Sequence, residues 1–477
     1  MKLKNLPLPL LLLLLFLSAT VKSQYLVNSE FLNFTNSFSL GFVPGIPAQY
    51  DVDFYRITYN TTNTAGEPTI ASGAVAIPVS AASCNSFPMI AYCHGTVLKQ
   101  LDVPSYNNLE GFLTKVFAST GFIAVAPDYL GLGQNPGIHP YVHAESEATA
   151  TIDLIRAARE FLETKPQQDN GELFITGYSQ GGQAAMATLK YAEENDLNEE
   201  LGIVAGAPCS GPYDLSGSQA EVILSDAPYS NPGYIVYLLI SYQLAYGNLY
   251  TDLSDIIQSP YDTIVTPFFD GVQNTYSMNV VNDTLPNQLS NLLVDSVYSN
   301  FQSNPNHPLW LDLEDNDTHN WTPQVPLRMF YCTGDEQVNY QNSITADSAM
   351  NANGAADVQA LNSLAGATHG QCIQPALVDV YEFFSGLATA CDLVSGIAEN
   401  KQLKLDVYPN PASDWLNVII PEKGGYLIVQ DTYGRVVMER NIAEGQTQVD
   451  ISKLAAATYV VSFQAGKIIR RSTLVVQ

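Results

Sequence analysis

Ser179 lies in the stretch of this sequence that most directly indicates chemistry. The segment Gly177-Tyr178-Ser179-Gln180-Gly181 follows an apolar run at 172–176 and precedes a helical pattern at 183–190. This order predicts a strand, a sharp turn and a helix. The two glycines permit a turn too tight for side chains, and such a turn raises the serine hydroxyl above a sheet. A chance glycine-rich turn is the alternative, so a nucleophilic role for Ser179 requires partner residues.

Two such partners follow in the order acid, then base. Asp335 comes just after an apolar run at 327–332, and His369 lies in a predicted loop at 366–372. A serine hydroxyl is a poor nucleophile until an imidazole accepts its proton, and the imidazole needs a carboxylate that holds its tautomer. We therefore predict the triad Ser179, Asp335 and His369. Glu336 is the alternative acid, but it lies one residue further from the end of the strand.

Alternating apolar and helical segments predict the sheet that brings these residues together. The runs at 88–93, 121–126 and 203–208 are typical of buried parallel strands, and helical patterns at 109–119 and 144–162 separate them. The segments at 54–59 and 71–79 alternate like antiparallel edge strands. The fold class is therefore α/β, and the three side chains converge at the carboxyl ends of its strands.

Two loops after these strands supply candidate donors to an oxyanion. We predict that the backbone N–H groups of Thr96 and Gln180 bind the charge that develops in the transition state. His94 is predicted to be structural, because His369 already serves as the base. Asp128 either shapes its loop or, if protonated, acts at the oxyanion site.

Together these motifs resemble the secretory lipase family of α/β-hydrolases, the group similar to fungal lipase A. The resemblance covers about 52–387 and rests on the motifs at 94–96, 127–131, 177–182 and 335–338. It implies an α/β-hydrolase fold, the triad Ser179, Asp335 and His369, and a link between Asp128 and the oxyanion hole. It also implies that the substrates are carboxylic esters and that no cofactor is needed.

A long insertion at about 212–326 predicts a helical cap over the site. It contains ten tyrosines and neither Lys nor Arg. Aromatic rings with polar tips suit neutral acyl or aromatic esters, and the missing cations disfavour anionic substrates. An aromatic-rich structural subdomain is the alternative. The acidic run at 312–317 lacks the glycine and glutamate of a calcium-binding EF-hand loop, so we predict a solvated loop and no metal.

The start of the chain and its charge indicate export. Residues 1–23 combine a basic start with a leucine-rich core and predict a signal peptide, and no other stretch is apolar enough to span a membrane stably. The formal net charge is -27, and residues 24–399 hold 8 basic and 40 acidic side chains. This surface disfavours nucleic acid and anionic membranes as partners.

Export permits disulfides among the six cysteines. Sequence alone leaves the pairing open, and we prefer Cys372 with Cys391 because they bracket the last helix before the tail. Buried free thiols are the alternative. No cluster of Cys and His residues indicates a metal site.

The tail at 400–477 has a different pattern, in which short alternating strands predict a small all-β sandwich. With its start at Val407-Tyr408-Pro409-Asn410-Pro411, it resembles the C-terminal sorting domain of the type IX secretion system. That resemblance implies a partner, the secretion machinery, and a location outside a Gram-negative cell or on its surface. A carbohydrate-binding module is the alternative, although Trp415 is the tail's lone tryptophan.

These predictions describe three regions: a signal peptide at 1–23, a hydrolase domain at 24–399 with its cap at about 212–326, and a sorting domain at 400–477. The predicted function is that of a secreted serine hydrolase that cleaves carboxylic esters through an acyl-enzyme on Ser179. A serine peptidase and a non-catalytic adhesion protein on the same fold are the alternatives.

Overall fold

A nine-stranded sheet organises the larger part of the protein. The computed structural model describes residues 25–41, 43–79, 84–106, 108–225, 227–391, 403–420, 423–431, 435–465 and 468–477, and the predicted signal peptide lies outside them. The strands of this sheet are β1 (Leu26–Thr35), β2 (Asp51–Thr62), β3 (Pro68–Val79), β4 (Ser86–Cys93), β5 (Ile123–Pro127), β6 (Gln168–Tyr178), β7 (Ile203–Cys209), β8 (Leu327–Tyr331) and β9 (Val358–Asn362).

The strand order is β1-β2-β3-β5-β4-β6-β7-β8-β9. The pairs from β1 to β5 are antiparallel, and those from β5 to β9 are parallel, as the apolar runs predict. Strand β4 has β5 on one side and β6 on the other, so the chain changes direction across the sheet at β4. In open α/β sheets, ligands bind beyond the carboxyl ends of the strands at such a point.

Helices cover both faces of the sheet. In chain order the helices are α1 (Ser37–Leu40), α2 (Leu109–Ser119), α3 (Ala144–Leu162), α4 (Gln180–Glu194), α5 (Asn198–Leu201), α6 (Ala220–Leu224), α7 (Pro232–Tyr246), α8 (Tyr261–Val265), α9 (Met278–Thr284), α10 (Asp295–Ser303), α11 (Pro308–Asp315), α12 (Gln341–Ala352) and α13 (His369–Ser385). Helices α3, α4 and α12 bury apolar side chains against one face, including Leu154 and Met186. Helices α2 and α13 do so on the other face with Phe117 and Phe384.

The cap consists of α6 to α11, which lie between β7 and β8. It has a hydrophobic cluster of its own, in which Val236, Tyr242 and Leu292 are fully buried. Helix α7 begins at Pro232, where the missing N–H costs no hydrogen bond, and ends before Gly247, whose left-handed conformation closes the helix.

The tail forms two small sheets that enclose a separate core. Its strands are β10 (Leu403–Lys404), β11 (Asp406–Tyr408), β12 (Trp415–Ile420), β13 (Gly425–Asp431), β14 (Val436–Ile442), β15 (Gly445–Asp450), β16 (Ala457–Ala465) and β17 (Ile468–Val476). The sheets have the orders β10-β17-β16-β13-β14 and β11-β12-β15, and Leu416, Val429 and Phe463 are buried between them. The predicted order of an α/β part with a helical cap and then an all-β part is confirmed.

The disulfide pairing differs from the predicted Cys372–Cys391. The structure pairs Cys332 with Cys372 and Cys84 with Cys391, while Cys93 and Cys209 are buried free thiols. Helix α13 runs about 20 Å from Cys372 to its last residue, Ser385, at 1.5 Å per residue, and Cys391 follows that far end, whereas a disulfide needs Cα atoms within about 7 Å. Cys372 instead lies in the first turn of α13, beside Cys332 at the end of β8.

The acidic run at 312–317 is not the predicted solvated loop. Its first four residues end helix α11, which starts at Pro308 and buries Leu309 and Leu313 one turn apart. Asp312 is buried and accepts a hydrogen bond from Asn248 (2.9 Å). The four-residue spacing of Leu309 and Leu313 therefore favours a helix here over a loop.

Within the described residues, none of the helices combines the length and the apolar character that crossing a bilayer requires.

Candidate active site

Ser179 occupies the turn between β6 and α4 in a strained backbone conformation. Its φ of 62° and ψ of -123° lie outside the regions that residues with a Cβ ordinarily populate. Its N–H donates to the carbonyl of Cys209 on β7 (3.0 Å), which ties the turn to the sheet. Such strain persists only where the surrounding structure fixes it, and here it sets the serine at the end of the sheet.

The glycines of the motif are required by close backbone contacts. A Cβ on Gly177 would overlap the carbonyl of Gly181, and a Cβ on Gly181 would overlap the carbonyl of Cys93. Strand β4 and the start of α4 therefore approach the turn too closely for any side chain.

Asp335 and His369 form a hydrogen-bonded pair. Asp335 Oδ2 lies 2.7 Å from His369 Nδ1, and Asp335 Oδ1 accepts the N–H groups of Gln337 (3.0 Å) and Val338 (2.8 Å). The side chain of Asp335 is 1% exposed and that of His369 is 8% exposed. A carboxylate held at two points fixes the ring with Nδ1 protonated and leaves Nε2 as the proton acceptor.

Glu336, the alternative acid, contacts His369 differently. Its Oε2 accepts the backbone N–H of His369 (3.0 Å) rather than the ring. Partial burial tends to raise the pKa of Glu336, but hydrogen bonds led by that N–H lower it below its usual value. Glu336 therefore fixes the start of α13, and Asp335 fixes the imidazole.

Tyr178 joins the nucleophile turn to the base. Its hydroxyl donates to the carbonyl of His369 (2.6 Å), and the two rings lie 5.0 Å apart. Among the described residues, no hydrogen bond links Ser179 directly to His369. Catalytic hydrogen bonds are often long in unliganded enzymes and shorten only when substrate is bound.

Of the two predicted oxyanion donors, Gln180 follows Ser179 in the chain, and Thr96 follows Gly95, which lies beside Ser179. Gly95 approaches so closely that a Cβ placed on it would lie 4.0 Å from Ser179 Cβ. In the described part of the chain, the N–H groups of Thr96 and Gln180 donate to no carbonyl. The Thr96 hydroxyl lies 3.0 Å from the Tyr141 hydroxyl, which holds the Thr96 loop in place.

Asp128 does not present its carboxylate to this site. Oδ1 accepts the N–H of Ser105 (2.9 Å), and Oδ2 accepts the hydroxyls of Ser72 (2.5 Å) and Ser105 (2.6 Å). Burial raises its pKa while these hydrogen bonds act to lower it. Because its oxygens are occupied, the structure favours loop shaping and not the oxyanion role that the resemblance implies.

His94 is wholly buried, and its ring contacts the carbonyls of Gly95 (2.8 Å) and Asp128 (3.4 Å). Burial lowers the pKa of His94 to about 4, which keeps the ring neutral. This position fits the structural role that the sequence predicts.

Glu147 and His139 are polar residues of the site that sequence reasoning missed. Both contact the side chain of Gln180, the residue that follows the nucleophile. The available signal was a pair of glutamates, Glu145 and Glu147, in the first turn of α3, and nothing in the sequence shows what Glu147 faces.

A cavity of about 830 Å³, including its mouth, lies between Ser179 and the cap. Its lining is mainly aliphatic and comes from cap residues that include Leu215, Ile223, Leu224, Ile235, Leu238, Leu239, Leu289, Leu293, Leu309 and Leu313. Tyr229, Tyr234 and Gln337 add polar atoms. A lining of this kind suits an uncharged apolar group.

Three of the cap tyrosines attach the cap to the sheet domain, and two of them, Tyr229 and Tyr234, also line the cavity. Tyr229 and Tyr234 donate to the carbonyl (3.1 Å) and side chain (3.1 Å) of Gln337, and Tyr242 donates to the carbonyl of Val142 (3.3 Å). Buried phenols need acceptors, and the acceptors of these three tyrosines lie on loops of the sheet domain, so the three rings attach the cap to that domain.

One group of side chains in the described residues could coordinate a cation. Ligand atoms of Asp214, Asp317 and His319 lie within 4.8 Å of one another. The carboxylates already accept hydrogen bonds from Ser218 (2.7 and 2.6 Å) and Ser216 (3.1 and 2.5 Å), and Asp214 lies 3.6 Å from His319. These contacts connect the two ends of the cap insertion.

Comparison with family models gives two matches. A model described as chlorophyllase matches residues 48–230, and one described as a secretion system C-terminal sorting domain matches residues 406–477. Comparison with curated protein sequences gives no match.

Solved structures match over most of the chain. A ligand-bound form of LipA, described as a rice cell wall degrading esterase from Xanthomonas oryzae, is 30% identical with a TM-score of 0.70, over 76% of this chain and 99% of LipA. A putative hydrolase from Legionella pneumophila is 26% identical with a TM-score of 0.69, over 79% of this chain and 100% of that one. Candida antarctica lipase A, at 19% identity with a TM-score of 0.57 over 77% and 84%, shows the fold alone.

The paired acid and base, the strained serine turn and the capped sheet agree with these matches, and so does the resemblance stated from the motifs. The chain therefore belongs to the family of α/β-hydrolases that includes the Xanthomonas esterase LipA, and its residues 406–477 form a secretion system C-terminal sorting domain.

Proposed function

We propose that this protein is a secreted carboxylic ester hydrolase that acts through an acyl-enzyme on Ser179. The observation that carries the proposal is the Asp335–His369 pair, held through Tyr178 next to a serine in a strained turn. That arrangement supports nucleophilic acyl transfer, because the carboxylate orients the imidazole and the imidazole can accept the proton of the serine hydroxyl.

In the proposed reaction, His369 Nε2 accepts the Ser179 proton as Oγ attacks the ester carbonyl. Asp335 stabilises the imidazolium that forms, and the N–H groups of Gln180 and Thr96 bind the oxyanion. The imidazolium then protonates the leaving alcohol. Water attacks the acyl-enzyme in a second round of the same steps and releases the acid.

The cavity supports an uncharged acyl chain as the group bound beyond the carbonyl. Its lining is aliphatic, and the sequence from 213 to 326 has no Lys or Arg that would attract an anion. The description of LipA as an esterase agrees with an ester substrate. A peptidase would need donors and acceptors for a peptide backbone, which this lining supplies poorly.

The sorting domain supports export by the type IX machinery to the outside or the surface of a Gram-negative cell. The predicted signal peptide at 1–23 supplies the first step of that route.

The test is Ser179→Ala assayed on p-nitrophenyl esters of increasing chain length beside peptide substrates. We expect hydrolysis of esters by the wild type and a loss of at least about 10³-fold in kcat for the variant, because the acyl-enzyme cannot form. Circular dichroism checks that the fold is retained. Turnover near that of the wild type in the folded variant would remove Ser179 from the mechanism.

A further inference from the structure

Directly behind the nucleophile, the Gln180 side chain enters a buried polar cluster. We define the Gln180 cluster as Gln180, Glu147 and His139, which are 2%, 1% and 2% exposed. The Gln180 Nε2 donates to Glu147 Oε1 (2.6 Å) and to His139 Nε2 (2.7 Å). Both hydrogens of the carboxamide are therefore used.

The other contacts of the cluster fix which atoms donate. His139 Nδ1 donates to the carbonyl of Leu130 (2.8 Å), so Nε2 of the neutral ring is an acceptor. Burial lowers the pKa of His139 to about 3, which keeps the ring neutral. Glu147 Oε1 also accepts the N–H of Val142 (3.2 Å). The cluster thus joins the first turn of α4 to the first turn of α3 and to the loop between β5 and α3.

Two oxygens of the cluster have no partner among the described residues. They are Glu147 Oε2 and Gln180 Oε1, both buried. A buried polar atom without a hydrogen bond destabilises the folded state, so two in adjacent groups require an explanation. Both are acceptors if Glu147 is ionised. A single proton on Glu147 Oε2 would make one of them a donor to the other.

We propose that Glu147 and His139 are positioning residues of the oxyanion site, with Glu147 in its neutral form donating to Gln180 Oε1. The acid and the amide then form a doubly hydrogen-bonded pair, and His139 holds the remaining amide hydrogen. The inference rests on the proposed role of the Gln180 N–H as an oxyanion donor. It assigns to this cluster the task of fixing that N–H, since displaced donors stabilise the transition state poorly.

The electrostatics of the cluster agree with a neutral Glu147. Burial raises the pKa of Glu147 to about 8, against an ordinary value of 4.5. Its titratable neighbours stay neutral between pH 6 and 9, since burial lowers the pKa values of His94, His139 and His143 and raises those of Cys93, Tyr129, Tyr141, Tyr237 and Tyr242. Glu147 is therefore the member of this set that changes charge in that range.

The consequence is a loss of turnover at alkaline pH. With a pKa of about 8, the neutral fraction of Glu147 falls about tenfold between pH 7 and pH 9. Ionisation removes the donor to Gln180 Oε1 and leaves a buried charge beside it. We expect kcat for p-nitrophenyl butyrate to fall by about the same factor, with little change in KM, because the N–H acts on the transition state.

Three variants test the proposal. Glu147→Gln keeps the shape and can donate to Gln180 Oε1 at every pH, so it should retain most of the turnover at pH 7 and lose the alkaline decline. Glu147→Ala removes the support and should lower kcat about tenfold or more at pH 7. Glu145→Gln, an exposed neighbour in the same turn of α3, should show the wild-type profile. An E147Q profile with the full alkaline decline, or folded E147A with wild-type kcat, would overturn the proposal.

A stability measurement separates this inference from the proposed function. The folded-state pKa of Glu147 is raised, so its contribution to stability is present below about pH 4.5 and is lost as pH rises through about 8. The Tm advantage of E147Q over the wild type should therefore grow from pH 6 to pH 9. If Ser179→Ala stays active, the proposed function fails while this Tm difference still reports the protonation of Glu147. A Tm difference that does not change with pH contradicts a neutral Glu147.

Discussion

Adjacent carboxylates at 335 and 336 have separate tasks. Asp335 holds the imidazole of His369, and Glu336 holds its backbone N–H. We expect Asp335→Asn to lower kcat by about 10²- to 10⁴-fold with little change in KM, because an amide can fix the wrong histidine tautomer. Steady-state kinetics on one soluble ester measure both constants.

The matched control is Glu336→Gln, since its amide oxygen still accepts the His369 N–H. It should cost less than about tenfold in kcat. The reverse ranking of the two variants would transfer the acid role to Glu336.

At the level of individual residues, the sequence predicts the triad but not the Gln180 cluster that packs behind the nucleophile. The strained turn needs glycines at fixed positions, so Ser179 is visible as a local motif. The Gln180 cluster is not visible, because its partners lie 33 and 41 residues from Gln180 and meet only through the packing of α3, α4 and a loop. Asp128 likewise has the expected residue type, but Ser72 and Ser105 occupy its oxygens.

Helix α7 of the cap lines the cavity with one of its faces. Leu238 lines the cavity, whereas Leu244 on the same helix is 49% exposed. We expect Leu238→Trp to lower kcat/KM for octanoyl esters about tenfold relative to acetyl esters, because the larger ring fills space that a long chain needs. The ratio of the two p-nitrophenyl esters is the measurement.

Leu244→Trp introduces the same ring on the outer side of the helix and should leave that ratio unchanged. Equal effects of the two variants would mean that the chain does not bind beneath α7.

Strands and helices with a clear pattern of apolar residues could be predicted from the sequence. Features that depend on contacts between distant elements could not. The parallel strands are continuous apolar runs, and the insertion shows its helical character. Whether the cavity is lined mainly by aliphatic or by aromatic side chains depends on which face of each cap helix packs against the sheet domain. Tyr229, Tyr234 and Tyr242 donate hydrogen bonds to acceptors on the sheet domain. The composition of the insertion does not show where these acceptors are.

In the whole molecule, the sorting domain touches the hydrolase part at α1. Gln430 Nε2 lies 3.2 Å from Ser39 Oγ, and the Arg471 guanidinium lies 3.6 Å above the ring of Phe38. Helix α1 carries none of the proposed catalytic residues. We expect deletion of residues 403–477 to leave kcat/KM on soluble esters within about twofold, since each part has its own core.

The same deletion should retain the enzyme in the cells that express it, as immunoblots of medium and cell fractions would show. A folded but inactive truncated protein would place part of the catalytic unit in the tail. The boundary near residue 400 stays a prediction, because residues 392–402 lie outside the described part of the chain.

The disulfide between Cys84 and Cys391 has a consequence for proteolysis outside the cell. It joins positions 307 residues apart, with Cα atoms 5.8 Å from each other, so the hydrolase part from β4 to the end of α13 lies in one covalent ring. A protease that cuts one peptide bond anywhere inside this ring opens it without releasing a fragment. Loss of the tail beyond Cys391 does not cut the ring. An enzyme that has lost its sorting domain and has one further cut inside the ring therefore still migrates as one species, until a reducing agent breaks the disulfide.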